Sequence, residues 1–253
     1  MIERPSHLYS AMAFLYSASW SNPGIEMGNI LMEMNVELGM EEKTSSRLGR
    51  RVPAILGAHI LMGLAVVLMR LSLFGNDPFS CMNLGYAGVS GLSYGTCVII
   101  FNLALIIPVA LLDRSYLRFG TLINMFMLGL IADFWYALIG DLSIFAEPDL
   151  SLRGMLLAGG VVLTCFSCSL YMSSRLGMGP YDAIGWILAE RSGGRVPFRI
   201  VRILIDACAV SIGFACGSIV GVGTLVMACG TGPLIEFFNQ KVSLPLLYGK
   251  RML

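Results

Sequence analysis

The side chains of this chain that could do chemistry are ionisable or polar groups set inside or beside long apolar runs. Arg202 and Asp206 stand four residues apart in one such run, so on a helix they share a face and can pair. Glu236 lies in a later run and is expected close enough to share that site. Charges inside a membrane are energetically costly and often functional, which makes these residues candidates for binding a solute. The alternative is internal pairing that only locks the helices together.

Two proline-started segments form a second group of candidates. Pro78–Ser90 and Pro180–Ser192 are each 13 residues long, too short to cross a bilayer, which takes roughly 20 helical residues. Asp77 can cap the first segment, and Asp182 falls in the first turn of the second. Free N–H groups at such a helix start can bind an anion or a polar headgroup. The alternative is a pair of interfacial helices that simply turn the chain.

Depth along the apolar runs divides the remaining candidates. Asp133 is expected toward the outer face beside Asp77, and the Arg202 pair toward the inner face. Two polar residues, Asn102 and Asn124, are expected nearer the middle. The full set of candidate solute-binding residues is Asp77, Pro78, Asn102, Asn124, Asp133, Pro180, Asp182, Arg202, Asp206 and Glu236.

Composition and motifs argue against several function classes. A net charge of +1 does not provide the basic face that nucleic-acid binding requires. His7 and His59 are far apart, and no usual metal-ligand spacing occurs, so neither a metal nor a cofactor is expected. The seven cysteines lie mostly in apolar runs, which is not the pattern of a disulfide framework. No hydrolase, zinc-protease or phosphate-loop motif stands in a suitable context, so we expect no enzyme.

Apolar runs supply the elements that must position these residues. The chain is 56% hydrophobic and only 13% charged, whereas soluble domains carry about 25% charged residues. Too few charges remain to cover a water-facing surface, and each run is about long enough to cross a hydrocarbon core of about 30 Å. The predicted spans lie near Pro53–Phe74, Tyr94–Leu112, Phe119–Ile139, Leu152–Met172, Ile200–Cys216 and Val220–Phe238.

Basic residues in the loops orient these spans. Lysine and arginine are enriched in cytoplasmic loops. Here they cluster before the first span, between the second and third, between the fourth and fifth, and after the sixth. The alternate loops, 76–93, 141–151 and 217–219, contain none. This distribution predicts that both termini are cytoplasmic.

A repeated pattern divides the membrane part into two copies. Gly75 and Pro78 recur 102 residues later as Gly177 and Pro180. The pattern G-T-x7-G-x3-[DE]-F begins at Gly120 and recurs 103 residues later. Each copy reads as helix, short segment, helix, helix, and three crossings require the second copy to enter from the opposite face. Inverted repeats of this kind are common in secondary transporters.

The predicted fold is therefore an all-α membrane protein with six transmembrane helices. They form two inverted three-helix repeats, each with a short non-spanning helix. The repeats occupy residues 53–140 and 152–240, and residues 1–52 are expected to form a weakly ordered cytoplasmic tail.

Four short motifs carry a family resemblance. They are G-M-G-P-Y-D at residues 177–182, V-R at 201–202, G-V-G-T at 221–224 and G-P at 232–233. With them the chain resembles the YczE/YyaS/YitT group of bacterial integral membrane proteins, YczE-like members in particular, over roughly residues 55 to 240. The resemblance implies a multi-pass protein of the bacterial plasma membrane and supplies no substrate. The first copy departs from the second, since Ser80 stands where Asp182 follows the proline.

Two function classes follow from these patterns. The leading hypothesis is a permease-like transporter of a small polar or anionic solute, embedded in the lipid bilayer. The alternative is a membrane scaffold or an accessory protein of a biosynthetic pathway. A continuous polar path through the bundle would separate the two, and the sequence does not reveal one. Neither pattern nor composition excludes a homo-oligomer.

Overall fold

A computed structural model describes residues 48–114, 117, 119–145, 147–174, 176–192, 196 and 198–248. This part of the chain contains helices and no strand. The predicted tail covers residues 1–52. Residues 1–47 lie outside the described residues, and residues 48–52 belong to the first helix.

Eight helices correspond to the predicted spans and short segments. The six longer ones are α1 (Leu48–Ser72), α3 (Tyr94–Leu112), α4 (Phe119–Ile139), α5 (Leu150–Ser174), α7 (Phe198–Ala215) and α8 (Val222–Phe238). The two short ones are α2 (Pro78–Ser90) and α6 (Pro180–Arg191). A 3-10 turn at Ser143–Phe145 precedes α5, and after α8 a π-helical turn at Asn239–Ser243 leads into α9 (Leu244–Tyr248).

Four of these helices are long and apolar enough to cross a membrane. Their spanning segments are Gly49–Ser72, Tyr94–Leu112, Gly120–Ile139 and Leu150–Ser174. The helix α8 has only 17 residues, and α7 carries Arg199, Arg202 and Asp206 within its 18 residues. By length and composition, four helices are therefore candidate membrane spans. The helices α7 and α8 do not meet these criteria.

The centre of the bundle is the packing of α1 against α5. Met69 of α1 is fully buried against Val161 and Cys165 of α5. The two helices approach closely because Gly160 has no side chain, and a Cβ there would collide with the side chain of Met69. Outside this pair, α4 packs on α1 and α8 packs on α5.

Each short helix packs on a long helix of the other half of the chain. The helix α2 lies on α7, where an added Cβ on Gly213 would come within 2.7 Å of the carbonyl oxygen of Cys81. The helix α6 lies on α3, where Val109 is fully buried against Ala183 and Ile187. The two halves of the chain are therefore interlocked.

The linkers before the short helices are held by backbone hydrogen bonds from the opposite half. The N–H of Gly120 in α4 donates to the carbonyl of Leu176 at 2.8 Å, and the N–H of Gly223 in α8 donates to the carbonyl of Phe74 at 2.8 Å. The Thr121 hydroxyl also donates to the carbonyl of Met178 at 2.8 Å. The G-T pair in each copy of the repeated pattern thus lies against the linker of the other copy.

Candidate functional site

The starts of the two short helices meet inside the bundle. Phe79 in the first turn of α2 and Tyr181 in the first turn of α6 have ring centroids 5.1 Å apart. Phe101, the eighth residue of the 19-residue helix α3, lies 6.0 Å from Phe79 by ring centroids. The meeting point therefore falls near the middle of α3. Pro78 and Pro180 occupy the first helical positions and are both buried.

A charged cluster adjoins this meeting point. Arg202 Nη1 lies 2.5 Å from Asp182 Oδ1, and Arg202 Nε lies 3.0 Å from Asp206 Oδ2. The Tyr181 hydroxyl donates to Asp206 Oδ1 at 2.7 Å. The side chains remain partly accessible, at 32% for Arg202, 40% for Asp182 and 19% for Asp206. The structure thus brings Arg202 and Asp206 together as expected and adds Asp182 from α6 as a second partner.

Asp77 caps the start of α2. Its Oδ1 accepts from the N–H of Ser80 at 3.0 Å, and the Ser80 and Tyr94 hydroxyls are hydrogen-bonded at 3.0 Å. Asp77, the cap residue of α2, therefore lies beside the meeting point of the two short helices.

The linker before α2 explains this position. It folds back along α1 instead of staying at the helix end. The side-chain amide of Asn76 reaches the carbonyl of Val66 at 3.4 Å, six residues before the end of α1 at Ser72. A depth estimated from a residue's position in the sequence does not account for a linker that folds back along α1.

Asp133 of α4 contacts the first turn of α3. Both of its carboxylate oxygens accept from the N–H of Gly95 at 3.0 Å, so it caps the start of α3. An added Cβ on Gly129 would come within 2.7 Å of the Gly95 Cα, so these two glycines let α3 and α4 approach closely. Here the carboxylate joins two helices.

The two asparagines differ in their surroundings. Asn102 is buried and donates to the carbonyl of Val98 at 3.0 Å, one turn back on its own helix. Asn124 of α4 lies beside the start of α6, because a Cβ on Gly179 would come within 2.8 Å of Asn124 Oδ1. Asn124 is therefore next to the meeting point of the short helices.

Glu236 is held differently from the Arg202 pair. Its carboxylate accepts a hydrogen bond from the side-chain amide of Gln240, one turn later. In the described residues, α7 and α8 have no packing comparable to that of α3 and α4. The expectation that Glu236 shares the Arg202 site has no direct contact to support it.

Sequence reasoning missed the aromatic and hydroxyl side chains of the site. Phe79 and Tyr181 are 102 residues apart, which is the offset of the recurring glycine and proline. That shared offset was the available signal, because a two-fold axis between the predicted repeats would bring equivalent residues together wherever they lie near it. Ser80 and Tyr94 gave no such signal. Within the part of the chain that the structure describes, no three His, Cys, Asp or Glu side chains gather to hold a metal ion.

Comparison with known proteins places this chain in a family. The profile described as "Family of unknown function (DUF6198)" matches residues 49–240. The uncharacterized membrane protein YczE of Bacillus subtilis is 26% identical over 163 residues, which cover 64% of this chain and 73% of YczE. The uncharacterized protein YyaS of the same organism is 25% identical over 179 residues, covering 71% and 87%.

A protein of Haemophilus influenzae, also described as uncharacterized, is 25% identical over 190 residues, which cover 75% of this chain and 83% of that protein. No solved structure matches the chain significantly.

Proposed function

The chain is a membrane protein that belongs to the DUF6198 family, and from that premise we propose that it is a permease-like transporter of a small polar or anionic solute. One observation carries the proposal: the starts of two short helices meet inside the bundle beside a partly exposed cluster of Arg202, Asp182 and Asp206. Irregular backbone at membrane depth is tolerated where it is buried in protein or lines a cavity. Transporter sites are typically built there.

The proposed topology has six spans, with both termini on the cytoplasmic face of the bacterial plasma membrane. The helices α1–α4 and α5–α8 would be two inverted repeats. Two pairs of helix contacts are equivalent between the proposed repeats. The contact of α1 with α4 corresponds to that of α5 with α8, and the contact of α2 with α7 corresponds to that of α6 with α3. The two linker hydrogen bonds exchange in the same way, Gly120 to Leu176 and Gly223 to Phe74. This reciprocity supports the repeat more strongly than the sequence offsets alone.

The charges of α7 fit a spanning helix in this topology. Arg202 has two carboxylate partners, so its charge enters the bundle already paired. A paired charge that faces the bundle interior is the usual form in which ionisable side chains occur in membranes. The helix α7 would then cross the bilayer with its polar face toward α6 and its apolar residues, such as Ile203 and Leu204, toward lipid.

The site offers recognition chemistry for a small polar molecule. Arg202 has guanidinium N–H groups for an acceptor oxygen, Asp182 has a half-exposed carboxylate for a donor, and the Tyr181 ring lies 5.0 Å from the guanidinium carbon of Arg202. The start of α6 adds the positive end of a helix dipole. Such a site suits a compact solute that carries an acidic group with other polar groups.

Binding and uptake test the proposal. Purified protein is screened for thermal stabilisation by a panel of small organic acids, amino acids and inorganic anions, and the best solute is followed into proteoliposomes. Asp182→Asn should weaken both binding and uptake while the protein still folds. Asp141→Asn is the matched control, because Asp141 is exposed in the turn after α4. If no solute stabilises or enters, and Asp182→Asn leaves the cellular phenotype intact, the scaffold or accessory role replaces transport.

A further inference from the structure

The starts of α2 and α6 differ in how their first N–H groups are used. At α2 the Asp77 carboxylate accepts from the N–H of Ser80 at 3.0 Å. The residues 102 positions later are Gly179 and Asp182. Gly179 has no side chain that could accept from the N–H of Asp182, and it forms no side-chain cap. Among the described residues, α6 therefore starts without the carboxylate cap that α2 has.

The Tyr171 hydroxyl of α5 is a second polar group at the start of α6. Tyr171 is 5% exposed, and its hydroxyl approaches the backbone of Gly179. Within the part of the chain that the structure describes, this hydroxyl makes no hydrogen bond of ordinary geometry. Its ring is held edge-on against the His59 ring, with centroids 5.5 Å apart. Because buried polar side chains nearly always have a hydrogen-bond partner, this hydroxyl indicates a ligand at the helix start.

The residue that corresponds to Tyr171 in the first half of the chain is apolar. It is Met69, 102 residues earlier, which is buried against Val161 and Cys165. The apolar residue thus belongs to the half whose short helix has its own carboxylate cap. The hydroxyl belongs to the half whose short helix lacks one. Packing of the long helices does not require a hydroxyl at this position, since a methionine fills the equivalent one.

The charges beside the start of α6 limit what a ligand can carry. Arg202 Nη1 lies 2.5 Å from Asp182 and its Nε lies 3.0 Å from Asp206, so one positive side chain meets two negative ones. Asp182 is the most exposed of the three, at 40%. A positively charged group beside Asp182 balances this cluster, whereas an anion without such a group adds to its negative charge.

From these contacts we infer that the start of α6 binds the carboxylate of an α-amino acid and that the Asp182 side chain binds its amino group. The N–H groups of Tyr181 and Asp182 and the Tyr171 hydroxyl donate to the carboxylate. The ligand thereby caps α6 as the Asp77 side chain caps α2, and free N–H groups at a helix start favour an anion. The inference rests on the proposed transport function and names its solute class.

The spacing of the two charged groups follows from Asp182 itself. Its backbone N–H and its side-chain carboxylate belong to one residue, so a ligand that uses both needs its own charged groups close together. In an α-amino acid a single carbon separates them. Asn124 of α4 adds a further polar group, because a Cβ on Gly179 would come within 2.8 Å of its Oδ1 and 3.7 Å of its Nδ2. Its amide can donate to a carboxylate or accept from an amino group.

Three matched solutes test the ligand class. Alanine carries both charged groups, propionate lacks the amino group and alaninamide lacks the carboxylate. Purified protein in a mild detergent is titrated with each at neutral pH, and isothermal titration calorimetry gives the Kd. Alanine should bind about tenfold more tightly than either of the others, because each of them loses the hydrogen bonds of one charged group.

Tyr171→Phe tests the carboxylate end of the site. This variant keeps the ring and removes only a hydroxyl without a partner, so thermal unfolding should be unchanged. The Kd for alanine and for propionate should rise about tenfold, since a hydrogen bond to a charged group is lost. The Kd for alaninamide should stay the same. Tyr86→Phe is the matched control, because Tyr86 lies exposed on α2.

Asp182→Asn tests the amino end and should give the complementary pattern. It keeps the backbone N–H, so propionate binding should persist while alanine and alaninamide bind more weakly. This variant also decides the inference if Tyr171→Phe does not fold. The inference is overturned if alanine does not bind, if it binds no better than propionate or alaninamide, or if folded Tyr171→Phe binds alanine normally.

Uptake into proteoliposomes separates this inference from the proposed transport function. If alanine binds with the expected pattern but does not enter, transport is wrong and the amino acid site stands. If an inorganic anion enters and alanine does not bind, transport stands and the amino acid site is wrong.

Discussion

The starts of α2 and α6 occupy equivalent places in the two halves of the chain, yet their chemistry differs. At α2 the Asp77 carboxylate caps the helix by accepting from the N–H of Ser80. A residue of the same segment thus provides the hydrogen-bond partner at that helix end. At α6 the cap residue is Gly179, which offers no side chain, and Asp182 instead pairs with Arg202. The same backbone geometry therefore yields a structural end at α2 and a chemically available end at α6.

Removing Arg202 should have the largest effect, because it leaves the carboxylates of Asp182 in α6 and Asp206 in α7 without their partner. We expect Arg202→Gln to lower the free energy of unfolding by about 3 kcal/mol, the low end for a buried ion pair, since the side chains are partly exposed. Unfolding in a mild detergent measures it, with Arg191→Gln as the control.

A double-mutant cycle sharpens that result. Arg202→Gln alone should destabilise the protein more than Arg202→Gln combined with Asp206→Asn, because the double variant leaves one unpaired carboxylate instead of two. Asp206 is the partner at 3.0 Å on the same helix. Strictly additive losses would show that the two side chains do not interact.

Adding a side chain at Gly179, the cap residue of α6, should have an intermediate effect on stability. Gly179→Ala places a Cβ 2.8 Å from Asn124 Oδ1, so the amide must shift and stability should fall by about 1–3 kcal/mol. Asn124→Ala in the same chain should recover much of the loss. Gly88→Ala in α2, where a Cβ meets nothing within 4 Å, is the control in thermal unfolding. If Asn124→Ala brings no recovery, the contact between α4 and α6 is not what Gly179 protects.

Removing the cap of α2 should have the smallest effect. Asp77→Ala should cost about 1 kcal/mol, the usual value for a lost helix cap, and Asp77→Ser should retain most of the stability. Solute uptake per folded molecule should change less for Asp77→Ser than for Asp182→Asn. A larger loss of uptake for Asp77→Ser would make α2 the chemically active end and reverse the comparison.

Much of the fold was predictable because apolar runs and prolines mark helices directly. The bounds of α3 and α4 agree with the prediction at both ends. The helix α1 begins at Leu48, five residues before the predicted start at Pro53. A proline near a helix start removes one hydrogen bond without ending the helix.

The site was predictable only where its partners are neighbours in sequence. Arg202 and Asp206 are four residues apart on one helix, so their pairing follows from helical geometry. Gly95 and Asp133 are 38 residues apart, and no local pattern connects them. Their contact depends on how α3 and α4 approach each other, which is a property of the packed bundle.

The pairing of Arg202 with Asp182 also bears on how the chain is made. If α7 crosses the bilayer as proposed, a charge near its centre opposes its entry into lipid by roughly 2.5–3.5 kcal/mol. Asp182 belongs to α6 and is synthesised before Arg202. A carboxylate that can neutralise Arg202 is therefore already present when α7 is made. We expect α7 to enter the membrane together with α6, as a single unit of late insertion, after the first five helices are in place.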